Sequence, residues 1–221
     1  MPTMIAEDVH LSIPSWATTL SAFRRWTDEA DFPDKGSIWW LRGGVWADMS
    51  QEQIYSHLDV KGEIYSVLKN LNKANDLGRV FTDGLLVTHV DVGLSGNPDA
   101  TFISHESLAS GQVVMVEGKH AGWTEAQGAP DMVLEVVSDG SEEKDRVTLR
   151  EDYFAAGIGE YWLVDARQSP PSFEILRRGR DQFVSAAKSK GWLKSTVFGR
   201  AFQFVEGKDR SGFPAYTLEF N

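Results

Sequence analysis

The sequence contains no cysteine. That absence excludes disulfide frameworks, thiolate zinc sites, iron–sulfur clusters and cysteine nucleophiles. Long apolar runs are missing as well, and none approaches the roughly 18 residues that a membrane-spanning helix needs. Met1 to Asp8 has no basic stretch leading into an apolar one, so the expected location is the cytoplasm, without membrane contact. Positive charge is in short supply: 22 Lys and Arg stand against 32 Asp and Glu, a net charge of −10. Such a balance argues against non-specific coating of nucleic acid, which draws on a basic surface. No repeat, low-complexity tract or linker interrupts the chain.

What is present is a globular composition, 42% hydrophobic and 24% charged over 221 residues, long enough to bury a core without staples. The charge is unevenly placed. Residues 1–140 hold 9 basic and 20 acidic residues, whereas residues 141–221 hold 13 and 12. Arg177 to Arg210 alone carries nine basic residues against Asp181, Glu206 and Asp209. Two readings stay open: a locally basic face, or solvated strand edges whose lysines deter edge pairing.

Periodicity predicts a helix over 14–26 and a hairpin, Ile38 to Leu41 and Val45 to Ala47, turned by Arg42-Gly43-Gly44. Ser50 and Gln53 have capping-box spacing ahead of a helical stripe from Ile54 to Leu71. Short strands follow at Val80 to Phe81, Leu85 to Leu94 and Ala100 to Ile103, and His105 to Ala129 reads mainly as a surface loop. A strand at Met132 to Val137, a helix at Glu142 to Ala156 and a strand at Tyr161 to Val164 imply a parallel pair with a crossover. Four further short strands lie between Phe173 and Phe220. The expectation is one domain over 1–221 of mixed α/β (α+β) class, with a core at about 38–166 and a β-rich C-terminal extension at 172–221. Most of the eight tryptophans fall at periodic apolar positions and are expected in that core.

Glu135 stands out because it sits in the run Met132-Val133-Leu134-Glu135-Val136-Val137. A carboxylate on so apolar a strand needs a cation or strong donors to offset its charge. Strand alternation puts Val133, Glu135 and Val137 on one face. Asp99 follows the turn Gly96-Asn97-Pro98 and opens the Ala100 strand, where it can join Glu135 in an oxygen-rich site of the kind Mg²⁺ takes. His57 lies on the predicted long helix, either as a packed residue or as a proton shuttle. Asp145 in a first helical turn is explained by the helix dipole.

Three segments carry a family resemblance: Asn97-Pro98-Asp99-Ala100; Ala129 to Ser138; and Tyr153-Phe154-Ala155-Ala156-Gly157-Ile158 leading into Glu160 to Asp165. Together with Trp46 to Ser50 and His57, they resemble the Uma (type two) family of restriction endonucleases, within the PD-(D/E)XK nuclease superfamily. The resemblance implies a restriction endonuclease-like core, a mixed central sheet flanked by helices, and a divalent metal, Mg²⁺ or Mn²⁺. It implies Asp99 and Glu135 as metal ligands, with the backbone carbonyl of Val136 as a third. The activity implied is hydrolysis of DNA phosphodiester bonds, with a homodimer as a candidate assembly.

The chain departs from the superfamily pattern at the lysine. Val137 occupies the motif position, and Leu149 the alternative helix position four residues before Tyr153. Arg150, or failing it Lys144 or Arg146, is the expected source of positive charge for the transition state; an arginine cannot serve there as a base. The competing expectation is a catalytically impaired nuclease-fold module acting in DNA binding or protein assembly, in which Leu149 packs in the core.

Overall fold

The computed structural model describes residues 11–119 and 122–221; the opening segment Met1 to Asp8 therefore lies outside the described residues. The first helix, α1 (Leu20–Trp26), is shorter than the sequence predicts. Thr19 is its cap, accepting from Ala22 N, so the chain from Pro14 to Thr18 makes turns instead.

β1 (Ser37–Leu41) and β2 (Gly44–Asp48) form the expected hairpin. Arg42 and Gly43 both take positive φ, 50° and 86°, the backbone a two-residue hairpin turn demands. The predicted Ser50 capping box does not form. Ser50 N donates to Asp48 Oδ1, and the Gln53 amide donates to Asp139 Oδ2. The chain begins to coil only after Gln53, as a π-helical turn (Ile54–Asp59) in which Leu58 N donates to Gln53 O. This turn runs into α2 (Val60–Asn75), which ends at left-handed Asp76.

β3 (Gly78–Thr82), β4 (Leu86–His89), β5 (Leu94–Gly96) and β6 (Ala100–Ser104) follow. The stretch predicted as a loop from His105 to Ala129 instead holds α3 (His105–Ser110), β7 (Val113–Glu117) and β8 (Trp123–Gly128). Ser104 caps α3 through Ser107 N, and β8 is held by pairing with β4, far away in sequence. Such long-range pairing leaves little local periodicity to read. Next come β9 (Met132–Val136), a π-helical turn (Lys144–Thr148), α4 (Leu149–Ala155) and β10 (Glu160–Asp165). The chain finishes with β11 (Ser172–Arg178), β12 (Phe183–Ser185), β13 (Lys188–Ser189), β14 (Trp192–Lys194), β15 (Ala201–Lys208) and β16 (Pro214–Phe220).

The strands build three sheets: β2-β1-β5-β4-β8-β7, a central β12-β11-β10-β9-β6-β3, and β13-β14-β15-β16. The central sheet is mixed, with β9 and β10 parallel as the strand, helix, strand succession requires. The C-terminal segment is rich in strands as expected, but β11 and β12 extend the central sheet rather than standing apart from it.

β9 separates two cores by simple alternation. Met132, Leu134 and Val136 face α2 and the C-terminal sheet, together with Ile64, Leu68, Trp162 and Phe202. Val133 and Val137 face α4 and the first hairpin, with Leu149, Tyr153, Tyr161 and Trp39. Gly96 permits part of that packing, since a Cβ there would lie 1.9 Å from Trp39 Cε3.

Candidate active site

The antiparallel register of β6 with β9 pairs Ala100 with Leu134, so one step further along the ladder Asp99 comes level with Glu135. A hydrogen bond fixes this relation: Val136 N donates to Asp99 Oδ2 at 2.7 Å. Two carboxylates from adjacent strands are thus delivered to one end of the sheet.

Each carboxylate has its own cation. Lys61 Nζ lies 3.5 Å from Asp99 Oδ1 and 2.9 Å from both Glu52 Oε1 and Asp83 Oδ2. Burial pulls the Lys61 ammonium down, but Asp99, Glu52 and Asp83 outweigh it and hold it above its ordinary value. His57, buried on the π-helical turn, sets Nε2 3.7 Å from Asp99 Oδ2 and Nδ1 3.6 Å from Glu52 Oε2. That turn and the Val137 to Gly140 loop enclose a cavity of about 110 Å³ lined by Ser50, Gln53, Ser56 and His57.

Glu135 is nearly sealed, its side chain 4% exposed. Tyr153 Oη donates to its Oε1 at 2.6 Å, and Lys144 Nζ lies 3.4 Å from its Oε2. Burial pushes the Glu135 carboxyl well above the usual carboxylate range, and the charges of Asp145 and Asp99 add to that, against the opposing pull of Lys144 and the Tyr153 hydrogen bond. Lys144 is equally buried. Its ammonium also meets Asp145 Oδ1 at 2.7 Å and lies 4.4 Å and 5.0 Å from the ring centroids of Trp39 and Trp46. Those indoles are a cross-strand pair of the first hairpin, and their negative faces favour a cation. Burial works against the Lys144 charge, yet Glu135 and Asp145 leave it net raised. Asp145 is itself buried and bonded to Ser141, so it serves this cluster rather than a helix dipole.

A family model described as "Putative restriction endonuclease" matches residues 20–198. The chain belongs to the Uma2 family. Among solved structures it is similar to a crystal structure described as a putative nuclease belonging to DUF820 from Anabaena variabilis, with a TM-score of 0.59. The two are 17% identical, over 82% of this chain and 90% of that one, so the likeness is one of fold. No match was found among curated proteins.

Within this Uma2 family member, the sequence-predicted residues divide into two groups. Asp99, Glu135, His57, Lys144 and the backbone of Val136 converge. Arg150 does not: its Nη2 donates to Phe183 O at 3.2 Å, and it lines a separate cavity of about 290 Å³ with Arg146, Phe154 and Asp181. Arg146 is taken up by Asp165, 2.6 Å away. The cation beside Glu135 is therefore Lys144, not Arg150. Leu149 is fully buried in the apolar cluster around Val133 and Tyr153.

Sequence reasoning missed Lys61, Tyr153, Trp39 and Trp46 as neighbours of the site. Lys61 could have been found from its i+4 relation to His57. The two tryptophans follow from hairpin arithmetic, because a turn at Arg42 and Gly43 sets Trp39 opposite Trp46. Among the described residues, no three His, Asp or Glu side chains group as a metal cage. The donor set is two carboxylates, of the kind a divalent cation that keeps several of its waters can take.

Proposed function

We propose that the chain is a divalent-metal-dependent endonuclease that hydrolyses DNA phosphodiester bonds. The observation that carries this reading is the approach of Lys144 Nζ to Glu135, beside an Asp99 hydrogen-bonded to the same strand. An ammonium next to two carboxylates supplies the combination of charges that phosphoryl-transfer chemistry uses.

Asp99 and Glu135, with the carbonyl of Val136, are the residues that would hold Mg²⁺ or Mn²⁺. The fit rests on charge: Asp99, Glu135 and Asp145 face Lys144 and Lys61, with Glu52 and Asp83 also drawing on Lys61. When bound, such an ion supplies a water of lowered pKa and steadies a leaving oxygen.

The chain's own groups do the rest. Val136 N and Lys61 orient Asp99, and Tyr153 Oη orients Glu135. Lys144, kept charged by Glu135 and Asp145, donates to a non-bridging phosphate oxygen as negative charge builds there. His57 faces Asp99 through Nε2 and lines the adjoining cavity, a placement suited to passing a proton toward solvent.

The test is nicking of supercoiled plasmid with Mg²⁺ or Mn²⁺ present or chelated. Wild type nicks only with metal, and Asp99→Ala and Glu135→Gln do not nick. A wild type inert under every metal, while folded, would establish the non-catalytic module.

A further inference from the structure

The basic segment singled out in the sequence leaves its charge unspent. Among the described residues none of Lys188, Lys190, Lys194, Arg200, Lys208 and Arg210 forms an ion pair, whereas Arg24, Arg42, Lys61, Lys144, Arg146 and Arg167 all do. All six are exposed. From residue 188 to the end, only Glu206, Asp209 and Glu219 oppose them, in a chain of net charge −10.

The topology then carries part of that charge to the candidate site. β15 and β16 form a long hairpin with the tip Asp209 to Phe213. Asp209 spends its carboxylate inside the tip, accepting from Ser211 N and Phe213 N, which leaves Lys208 and Arg210 free on either side of it. Phe213 is 50% exposed and stacks on Tyr55 at 5.2 Å and 12°. Tyr55 belongs to the π-helical turn that also bears His57, and Ile54 and Leu58 on that turn are exposed too. Aromatic faces left half open beside unpaired cations are what a nucleic-acid strand uses, bases stacking while phosphates meet the charges.

We infer that the tip of the β15–β16 hairpin, through Lys208, Arg210 and the Phe213–Tyr55 stack, is a nucleic-acid contact surface that guides a DNA strand across the π-helical turn to the Asp99 and Glu135 end of the sheet. This deepens the nuclease reading and rests on it for the identity of the strand. It explains how an acidic protein engages a polyanion: the contact is confined to a hairpin whose cations, among the described residues, form no ion pair.

The experiment separates binding from cleavage. Affinity of the full chain for a fluorescein-labelled oligonucleotide, single-stranded and duplex, is measured with metal chelated and over a range of salt, alongside the nicking assay. Lys208→Ala with Arg210→Ala weakens binding about tenfold and makes the slope of log affinity against log salt shallower by about 1.4 to 1.8, as expected for two lost phosphate contacts. Phe213→Ala weakens single-strand binding about fivefold or more, the range of a lost stacking platform. Lys35→Ala with Lys73→Ala, two exposed cations elsewhere, changes neither quantity. Equal melting temperatures exclude misfolding as the cause.

If plasmid is nicked and every variant binds DNA like wild type, the contact surface is overturned and the nuclease reading stands. If hairpin variants lose binding but wild type never nicks, the surface stands and the nuclease reading falls. Wild type that ignores DNA yet binds phosphatidylserine vesicles through the same residues overturns the inference in favour of a membrane surface.

Discussion

Lys144 approaches Glu135 to 3.4 Å from a π-helical turn, nine positions along the chain. Its backbone position matches neither place where the family pattern offers a lysine, yet its ammonium reaches Glu135. A wide helical turn and a long side chain together make up the difference. Trp39 and Trp46 close over the ammonium from a different sheet.

If Lys144 supplies the transition-state charge, Lys144→Met lowers the nicking rate by about 100-fold or more, the scale of removing one electrostatic contact from a water-poor site. Arg150→Ala leaves the rate within about threefold of wild type, since its guanidinium is engaged by Phe183 O. Equal losses in the two variants would return the role to Arg150.

Restoring a lysine at the family position does not restore a site. Leu149 is fully buried against Val133, Val137 and Tyr153, so Leu149→Lys introduces a charge whose desolvation costs several kcal/mol. Thermal unfolding shows a large drop in melting temperature and nicking does not rise. An active Leu149→Lys of normal stability would show that the cluster has room for an ammonium.

Glu135 sets a pH dependence whose sign follows from burial. Its folded pKa lies above the ordinary value of 4.5, so its stabilising contribution is complete below that value and is lost as pH rises through the folded pKa. Glu135→Gln removes the loss. Without metal the variant is as stable as wild type in acid and gains on it toward neutral and alkaline pH, while Lys144 keeps Asp145 as partner. Denaturant unfolding at several pH values measures the difference; a variant that falls behind wild type as pH rises would make Glu135 a stabilising ion-pair residue.

Asp165 carries the opposite sign. The Arg167 guanidinium hydrogen-bonds to both its oxygens, and with Arg146 it holds the Asp165 carboxyl at about 2. That contribution is present above the ordinary value of 3.8 and disappears as pH falls toward 2. Asp165→Asn is therefore less stable than wild type at neutral pH by about 1 kcal/mol, with solvent screening of the pair taken into account. The gap closes between pH 4 and 2. A constant gap across that range would assign the effect to packing.

Several features were legible because their signals are local. Glu135 is conspicuous in an apolar strand, Asp99 in a turn before another, and the Trp39–Trp46 hairpin is specified by its turn. The parallel β9 and β10 follow from strand, helix, strand succession. Where the reading went wrong, a distant partner had overridden a local rule. The Ser50 cap gave way when Gln53 turned to Asp139. The stretch after His105 gained strands because β8 found β4.

The sequence by itself determined the family, the mixed sheet and the two acids, since motif order and strand alternation depend only on residues near one another in the chain. Which cation serves those acids was decided by the tertiary structure. Arg150 and Lys144 sit on consecutive helical turns, and nothing local distinguishes them. The choice depends on the direction each side chain takes once α4 has packed with Leu149 inward: Arg150 then turns to β12, and Lys144 to the acids and two indoles. A buried ammonium persists only where opposite charges and aromatic faces from several elements meet, and that meeting exists only in the folded chain.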